Sequence, residues 1–388
     1  MRKEAEAVII GGGVMGCSVL YHLARLGMRD VVLLEQDVLG SGSTGRSQAI
    51  LRMHYSNPIT ASMAWESLKV FQDFEEEMGH PSGYVNTGYF VIVSPVDRGP
   101  MEENVAMQRS LGIETSVVSQ EDLEELAPML KADDAGGIAY EPQSGYADPY
   151  LVTTGYAQRA KDMGAQVYMR AAATEINVSG GRVRSVTTAD GTTIDTPKVL
   201  IAAGPWSRQL LKKLDLDLPL ETTRHQVVMV RRPEGLLPSH PTVGDIAQEF
   251  SFRPDSTDLT LIGIGEEAVD VEGYNQGVDP ATVEEAITKL VNRMPAMAEG
   301  YFRGGWSGLF TTTPDWHPIM DRVGTIDGLY CAVGFSGHGF KLSPMIGLCM
   351  AELIAKGEAT TFDITPFRMS RFKEGDLLSS RYRYNVLA

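Results

Sequence analysis

Residues 5–27 read AEAVIIGGGVMGCSVLYHLARLG. A short run of apolar and branched residues, a cluster of glycines and then apolar residues at helical spacing predict a buried strand, a turn and a helix that stops at Gly27. RDVVLLEQ follows at 29–36 and predicts a second buried strand, so the chain opens as a βαβ unit on a parallel sheet. Gly11, Gly13 and Gly16 form GxGxxG between the first strand and the helix. The first glycine permits the tight turn, the second lets backbone approach a pyrophosphate, and the third lets helix and strand pack closely. Val14 and Met15 open the helix, whose N-terminus suits a phosphate. Glu35 ends the second strand 19 residues past Gly16, with Gln36 beside it, where a carboxylate accepts from ribose hydroxyls. An acid there disfavours a 2′-phosphate, hence NADP, and leaves NAD and FAD open.

Composition narrows the class. The chain has 388 residues, 43% hydrophobic and 22% charged, with a formal net charge of −16, as an ordinary globular protein would. That charge argues against nucleic acid or an anionic membrane as the main partner. Cys17, Cys331 and Cys349 lie in apolar runs without CxxC spacing, which predicts buried reduced thiols and no metal site. Arg2, Lys3, Glu4 and Glu6 lead straight into the first strand, so no signal peptide is read, and no apolar run is long enough to span a bilayer. A cytoplasmic protein is expected.

Further along, ITASMAWESLKVFQDFEEEM (59–78) predicts a helix, GYFVIVS (88–94) a strand and 119–130 a short acidic helix. Asp148 and Pro149 open another helix as N-cap and first-turn residue. Residues 165–207 alternate strands with Gly-Gly and Asp-Gly turns and close on VLIAAGPWS (199–207), read as a buried strand ending in Gly204. A helix is expected near 281–293. GLYCAVG (328–334) predicts a strand that delivers the chain to GFSGHGFKLSP (334–344), from which Ser343 as N-cap and Pro344 at the first position start a helix over 344–356. That helix would point its positive end at the glycine loop. The loop GSGSTGRSQAILR (40–52) and the strand end at 199–207 both suit an extended cofactor that continues past the first βαβ unit, as FAD does.

With GGGVMG, Glu35, the 40–52 loop, VLIAAGPWS, TTTPDWHPIMD (311–321) and GFSGHGFK (334–341) in this order, the chain resembles the D-amino-acid-oxidase-like family of FAD-dependent oxidoreductases, nearest the sarcosine oxidase and N-methyl amino acid branch. The resemblance implies an α/β fold. A Rossmann-like FAD-binding domain over 1–88, 146–220 and 306–388 would carry an inserted α+β substrate domain over 89–145 and 221–305, built on a mixed or antiparallel sheet. Arg52 and Lys341 correspond to the family's ligands of the substrate carboxylate, Lys341 over the flavin. An Arg fork and a lysine point charge suit that task, although Arg52 in a core ion pair and Lys341 at a wet helix start are also open. His338 is a candidate for the flavin edge or the substrate. Phe310 falls where monomeric oxidases carry a tyrosine, and His54 and Tyr55 are near enough to Arg52 to line the pocket. Trp316 and His317 read as packing residues.

For FAD, the resemblance implies contacts from Gly11, Gly13, Val14, Met15, Gly16, Glu35, Gln36, Ser43, Thr44, Arg46 and Ser47. It also implies contacts from Ala173, Ala203, Gly204, Trp206, Gly308, Gly337, His338, Gly339, Phe340 and Lys341. Gly308 stands where relatives attach flavin to a cysteine, so noncovalent FAD is expected. LTLIGIG (259–265) lacks the lysine with which those oxidases activate oxygen, leaving O2 or another electron acceptor open. The implied reaction is hydride transfer from the C–N bond of a secondary or N-methylated amino acid to flavin N5, giving an imine that hydrolyses. A D-amino acid or glycine oxidoreductase, a modified-tRNA oxidoreductase, and an electron-relaying beta-type subunit of a larger complex are the alternatives. A partner subunit or a homo-oligomer is compatible with the acidic surface.

Overall fold

The computed structural model describes residues 1–237, 239–255 and 258–382. Strand Ala7–Ile10, helix Val14–Arg25 and strand Val31–Leu34 form the opening βαβ unit, with the two strands parallel and wholly buried. They sit in a six-stranded sheet of order Ile319–Arg322, Leu329–Val333, Val199–Ile201, Ala7–Ile10, Val31–Leu34 and Gln166–Tyr168. All neighbours are parallel except the antiparallel Ile319–Arg322. Such strands are covered on both faces, which is why they read as unbroken apolar runs. Helices Val14–Arg25, Pro149–Asp162 and Gly339–Lys356 pack together on one face, and a three-stranded sheet over Ala173–Asp195 adds to the core on the other.

A second, mixed sheet has eight strands, in the order Tyr301–Thr312, Glu221–Arg231, Leu259–Ala268, Phe250–Asp255, Thr242–Asp245, Tyr89–Val93, Gly137–Glu141 and Ser116–Val118. Only Thr242–Asp245 against Tyr89–Val93 is parallel. Helix Pro280–Arg293 buries Ala286 and Leu290 against this sheet's Phe90, Phe252 and Ile262.

Three expected helices end elsewhere. The run over 59–78 is two helices, Pro58–Gln72, with Asn57 accepting from the Thr60 amide, and Phe74–Met78, with the break at Asp73. The acidic helix is Gln120–Leu126. It opens on a Ser119–Asp122 capping box and stops where Ala127, ahead of Pro128, leaves helical geometry. The last helix starts a turn and a half earlier than expected, at Gly339, with His338 as its cap. Pro344 lies inside it with no N–H to give the Phe340 carbonyl. Pro344 falls in the second turn, so one intrahelical hydrogen bond is missing there. The strand expected to reach Gly204 ends at Ile201, and Gly204 (φ +52°) begins a 3₁₀ turn instead. Helix Arg98–Ser110 was not anticipated at all.

Burial pushes the imidazoles of His22, His54 and His240 down to about 3. The folded protein keeps them neutral, whereas the unfolded chain protonates them below about pH 6.5. In that window the unfolded state binds more protons, so stability is lost as pH falls. Each histidine costs about 1.4 kcal/mol per pH unit. Thermal unfolding followed between pH 7 and pH 5 is expected to show a midpoint falling by on the order of 10 °C; a flat profile would contradict it.

Candidate functional site

Two adjoining cavities share the wall Ser43, Ser47, Leu309, Phe310, Gly337 and Phe340. The larger, about 560 Å³, opens at the carboxyl ends of the parallel strands, where Ile10, Leu34 and Ala202 line it. Ligands of such sheets bind there. Gly11 takes φ +117°, and a Cβ on it would stand 2.4 Å from the Ala202 carbonyl oxygen. On Gly16 a Cβ would stand 2.0 Å from the Gly11 carbonyl oxygen, so both positions demand glycine, and Gly16 serves packing rather than lining the cavity. Glu35 accepts from the Gly12 amide at 2.7 Å and the Asp37 amide at 2.8 Å, which fixes its carboxylate at the cavity wall. Thr44 Oγ1 accepts from the Val14 amide at 3.1 Å and ties the 40–52 loop to the helix start.

Of the residues expected to hold the cofactor, Gly13, Val14, Met15, Gln36, Ser43, Thr44 and Ser47 line the larger cavity. So do Ala173, Ala203, Gly204, Trp206, Gly337, Gly339 and Phe340. Gly337 has to be bare, since a Cβ would lie 2.5 Å from the Phe310 ring. Arg46 and Gly308 line the smaller cavity. Arg46 donates to the Ser307 carbonyl and to Gln276 Oε1, and its Cβ would be 3.0 Å from a Cβ on Gly308.

The smaller cavity, about 130 Å³, brings Arg52, Lys341 and Phe310 together. Arg52 is 5% exposed; it donates to the His54 carbonyl and its guanidinium stands 4.6 Å from the centre of the Tyr55 ring. Lys341 is 8% exposed, in the first turn of helix Gly339–Lys356. Burial, with the Arg52 charge second, holds its amine well below the usual lysine range. Asp245 also lines this cavity, but its Oδ2 is engaged by Arg293 Nε at 2.6 Å.

His54, Tyr55 and His338 line neither cavity. They form a buried row behind Arg52, with His338 Nδ1 3.3 Å from Tyr55 Oη and His54 Nε2 bonded to Tyr382 Oη. Burial, then Lys341 and Arg52, keeps His338 well below the ordinary imidazole range. His317 is tied to the Asp315 carbonyl and Asn57 and takes a packing role.

One cavity residue carried no sequence signal. His225, on strand Glu221–Arg231, stacks on Phe310 with ring centres 3.7 Å apart, and burial pushes it down to about 3. A single histidine in a strand reads as core, and only its pairing opposite Gly308 on Tyr301–Thr312 brings it to the cavity. In the 259–265 stretch, a Cβ on Gly263 would lie 2.2 Å from Gln48 Oε1. Gln48 also accepts from Ser251 and donates to the Leu261 carbonyl, so it fills that wall.

A family model described as DAO, FAD dependent oxidoreductase, matches residues 6–353. Mitochondrial sarcosine dehydrogenase of Mus musculus is 30% identical over 386 residues, which is 95% of this chain. The chain spans only 42% of that relative's length. Sarcosine oxidase subunit beta of Rhizobium meliloti (strain 1021) is 28% identical, over 98% of this chain and 91% of that one. Among solved structures, L-proline dehydrogenase from P. horikoshii superposes with a TM-score of 0.90 at 26% identity, covering 97% of this chain and all of that one. Glycine oxidase from Geobacillus kaustophilus, at 24% identity over 95% of this chain and 99% of that one, shares the fold with a TM-score of 0.84.

Lys341 costs stability where it stands. Its amine is depressed when folded and ordinary when unfolded. Between those two pKa values the unfolded state binds the extra proton, and the penalty grows as pH falls. Lys341→Met is expected to raise the thermal midpoint, and more at pH 7 than at pH 10. An equal or lower midpoint at pH 7 would overturn the assignment of a buried, unfavourable amine.

Proposed function

The chain belongs to the DAO family of FAD-dependent oxidoreductases, and we propose that it oxidises the C–N bond of a secondary or N-methylated amino acid. One observation carries the reading: Arg52 and Lys341, both buried, face one small cavity that shares a wall with the larger one. Two buried basic side chains on one small cavity suit an anionic group of a small ligand, and an amino acid brings a carboxylate.

The larger cavity fits FAD by its own features. A glycine turn too tight for any Cβ, a helix N-terminus, a fixed Glu35 and a bare wall at Gly337 make a cradle for an extended dinucleotide. Bound FAD supplies the two-electron acceptor for the C–N oxidation. We assign its hold to the larger-cavity residues, in the part of the chain formed by 1–88, 146–220 and 306–388. The substrate face is assigned to 89–145 and 221–305, with strand Tyr301–Thr312 running across that division. No cysteine lies at Gly308, which supports noncovalent attachment.

Arg52 would grip the substrate carboxylate as a two-pronged donor, and Lys341 would add a point charge. Together they orient the carbon to be oxidised, which is where much of the acceleration of such a reaction comes from. Their positive charge also lowers the pKa of a neighbouring ammonium and so favours the neutral amine. Asp245 is committed to Arg293, and the scheme assigns no protein base. Phe310 and His225 form an apolar, uncharged wall for the substrate's carbon side. The likeness to a sarcosine oxidase beta subunit over most of both chains, and the side chain of Gln48 packed at Gly263 where no lysine stands, favour an acceptor other than O2, such as a partner subunit.

Anaerobic mixing of the FAD-loaded protein with sarcosine, L-proline, glycine and D-alanine is expected to bleach the flavin with the first two. Bleaching by glycine or D-alanine alone would replace this reading with the primary-amine one. Arg52→Ala should raise KM about 10- to 100-fold, the worth of a charged hydrogen bond or two, and full activity in that variant would sink the carboxylate assignment. Denaturation should release all the flavin into the supernatant; yellow colour retained by the precipitated protein would show a covalent link.

A further inference from the structure

Residues 51–56 are all buried, yet 52–55 belong to no helix or strand. Buried backbone without a ladder still needs hydrogen-bond partners, and here side chains from two distant elements supply them. The Met53 amide donates to Glu141 Oε2 at 3.0 Å, and the Met53 carbonyl accepts from Gln108 Nε2 at 2.6 Å. Gln108 Nε2 also donates to Glu141 Oε1 at 2.9 Å, closing the pair on itself. Ser144 Oγ donates to Glu141 Oε2 at 2.7 Å. Each of these hydrogen bonds favours the anion, against the burial that pushes the carboxyl up. Glu141 and Gln108 are each 0% exposed and line neither cavity. A buried carboxylate is costly without compensation, and the nearby Arg52 charge opposes that cost.

We propose that Gln108 and Glu141 are positioning residues for Arg52: they clamp the following peptide, Met53, from both sides and so present the guanidinium to the smaller cavity. Helix Arg98–Ser110 and strand Gly137–Glu141 exist at the back of the site partly for this task. The inference rests on the reading of Arg52 as the carboxylate ligand, and the experiment separates the two.

The test uses the full chain with FAD bound and acetate as the probe, followed through the absorbance of the bound flavin. Gln108→Met keeps side-chain volume and net charge while removing one arm of the clamp. It should raise the acetate Kd about 5- to 10-fold, as for a lost buried hydrogen bond, and raise the KM of whichever amino acid bleaches the flavin in parallel, with kcat changed less than about twofold. In an Arg52→Lys background the same substitution should add almost nothing, because it acts through Arg52. A merely structural role would lower the melting temperature and leave the two acetate effects additive. Should Gln108→Met not fold, Ser144→Ala removes a single donor to Glu141 and should shift acetate about 2- to 3-fold with the same non-additivity. Unchanged or additive acetate binding in whichever variant folds overturns the clamp. Unchanged binding in Arg52→Lys alone overturns the carboxylate reading instead.

Discussion

Helices Val14–Arg25 and Gly339–Lys356 come from opposite ends of the chain and meet closely where Gly347 has no side chain and Ser18 a small one. A Cβ on Gly347 would stand 2.0 Å from Ser18 Oγ, and Ser18 Oγ donates to the Ser343 carbonyl at 2.8 Å. This approach sets the separation of two helix N-termini, and both open on the larger cavity through Val14 and Gly339. The partial positive charge of each helix start is thereby delivered to one place. The helix starts at the larger cavity and the wall beside Lys341 depend on the same contact. A larger residue at 347 would spread the helices and move both ends of the site at once.

The smaller cavity shows the opposite economy, since nearly everything around it works against stability. The Lys341 amine is held well below the usual lysine range, His54 and His338 are kept neutral by burial, and burial pushes the Glu141 carboxyl up. Cations enclosed in this way interact with an incoming anion far more strongly than they would at a surface. Function of this kind is expected to sit where local structure disagrees with what stability alone would choose. Lys341 could be replaced by an apolar residue with a gain in folding free energy, and the gain would come at the expense of the cavity's charge.

Much of this was legible in the chain. The glycine turn, Glu35 and the apolar strands specify the nucleotide half because backbone geometry and two-sided burial leave few residue choices. The pairing of Arg52 with Lys341 entered through family resemblance, and the structure puts both on one small cavity. What escaped had physical reasons. Helix Arg98–Ser110 buries Met101, Asn104, Val105 and Gln108, a regular 3–4 spacing. Two of those four are polar, so hydropathy conceals the pattern. Their polarity is what the site uses, since Gln108 serves the Met53 peptide and Asn104 Oδ1 accepts from Arg381. The helix start at 339 was masked by Pro344, and His225 by its isolation in a strand. His338, suspect for its glycine neighbours, turned out to stand behind the cavities.

The family match ends at residue 353, but the site does not. Arg371, fully buried, holds both oxygens of Asp315 at 2.7 and 2.9 Å and also donates to the His317 carbonyl. That fixes the turn carrying Trp316 in a left-handed conformation, φ +60°, which a bulky residue adopts only under constraint. A few residues later Arg381 donates its amide to Ser56 Oγ and Tyr382 meets His54. The segment from 365 to 382 is therefore tied to the 311–321 turn on one side and to the peptides behind Arg52 on the other. Breaking the buried Asp315–Arg371 pair would leave an uncompensated charge, a loss of order 3–5 kcal/mol. The damage would reach the Arg52 wall of the smaller cavity through the backbone, although neither residue lines it. A charged anchor so deep, joined to a strap so near Arg52, makes residues 365–382 part of the site's architecture.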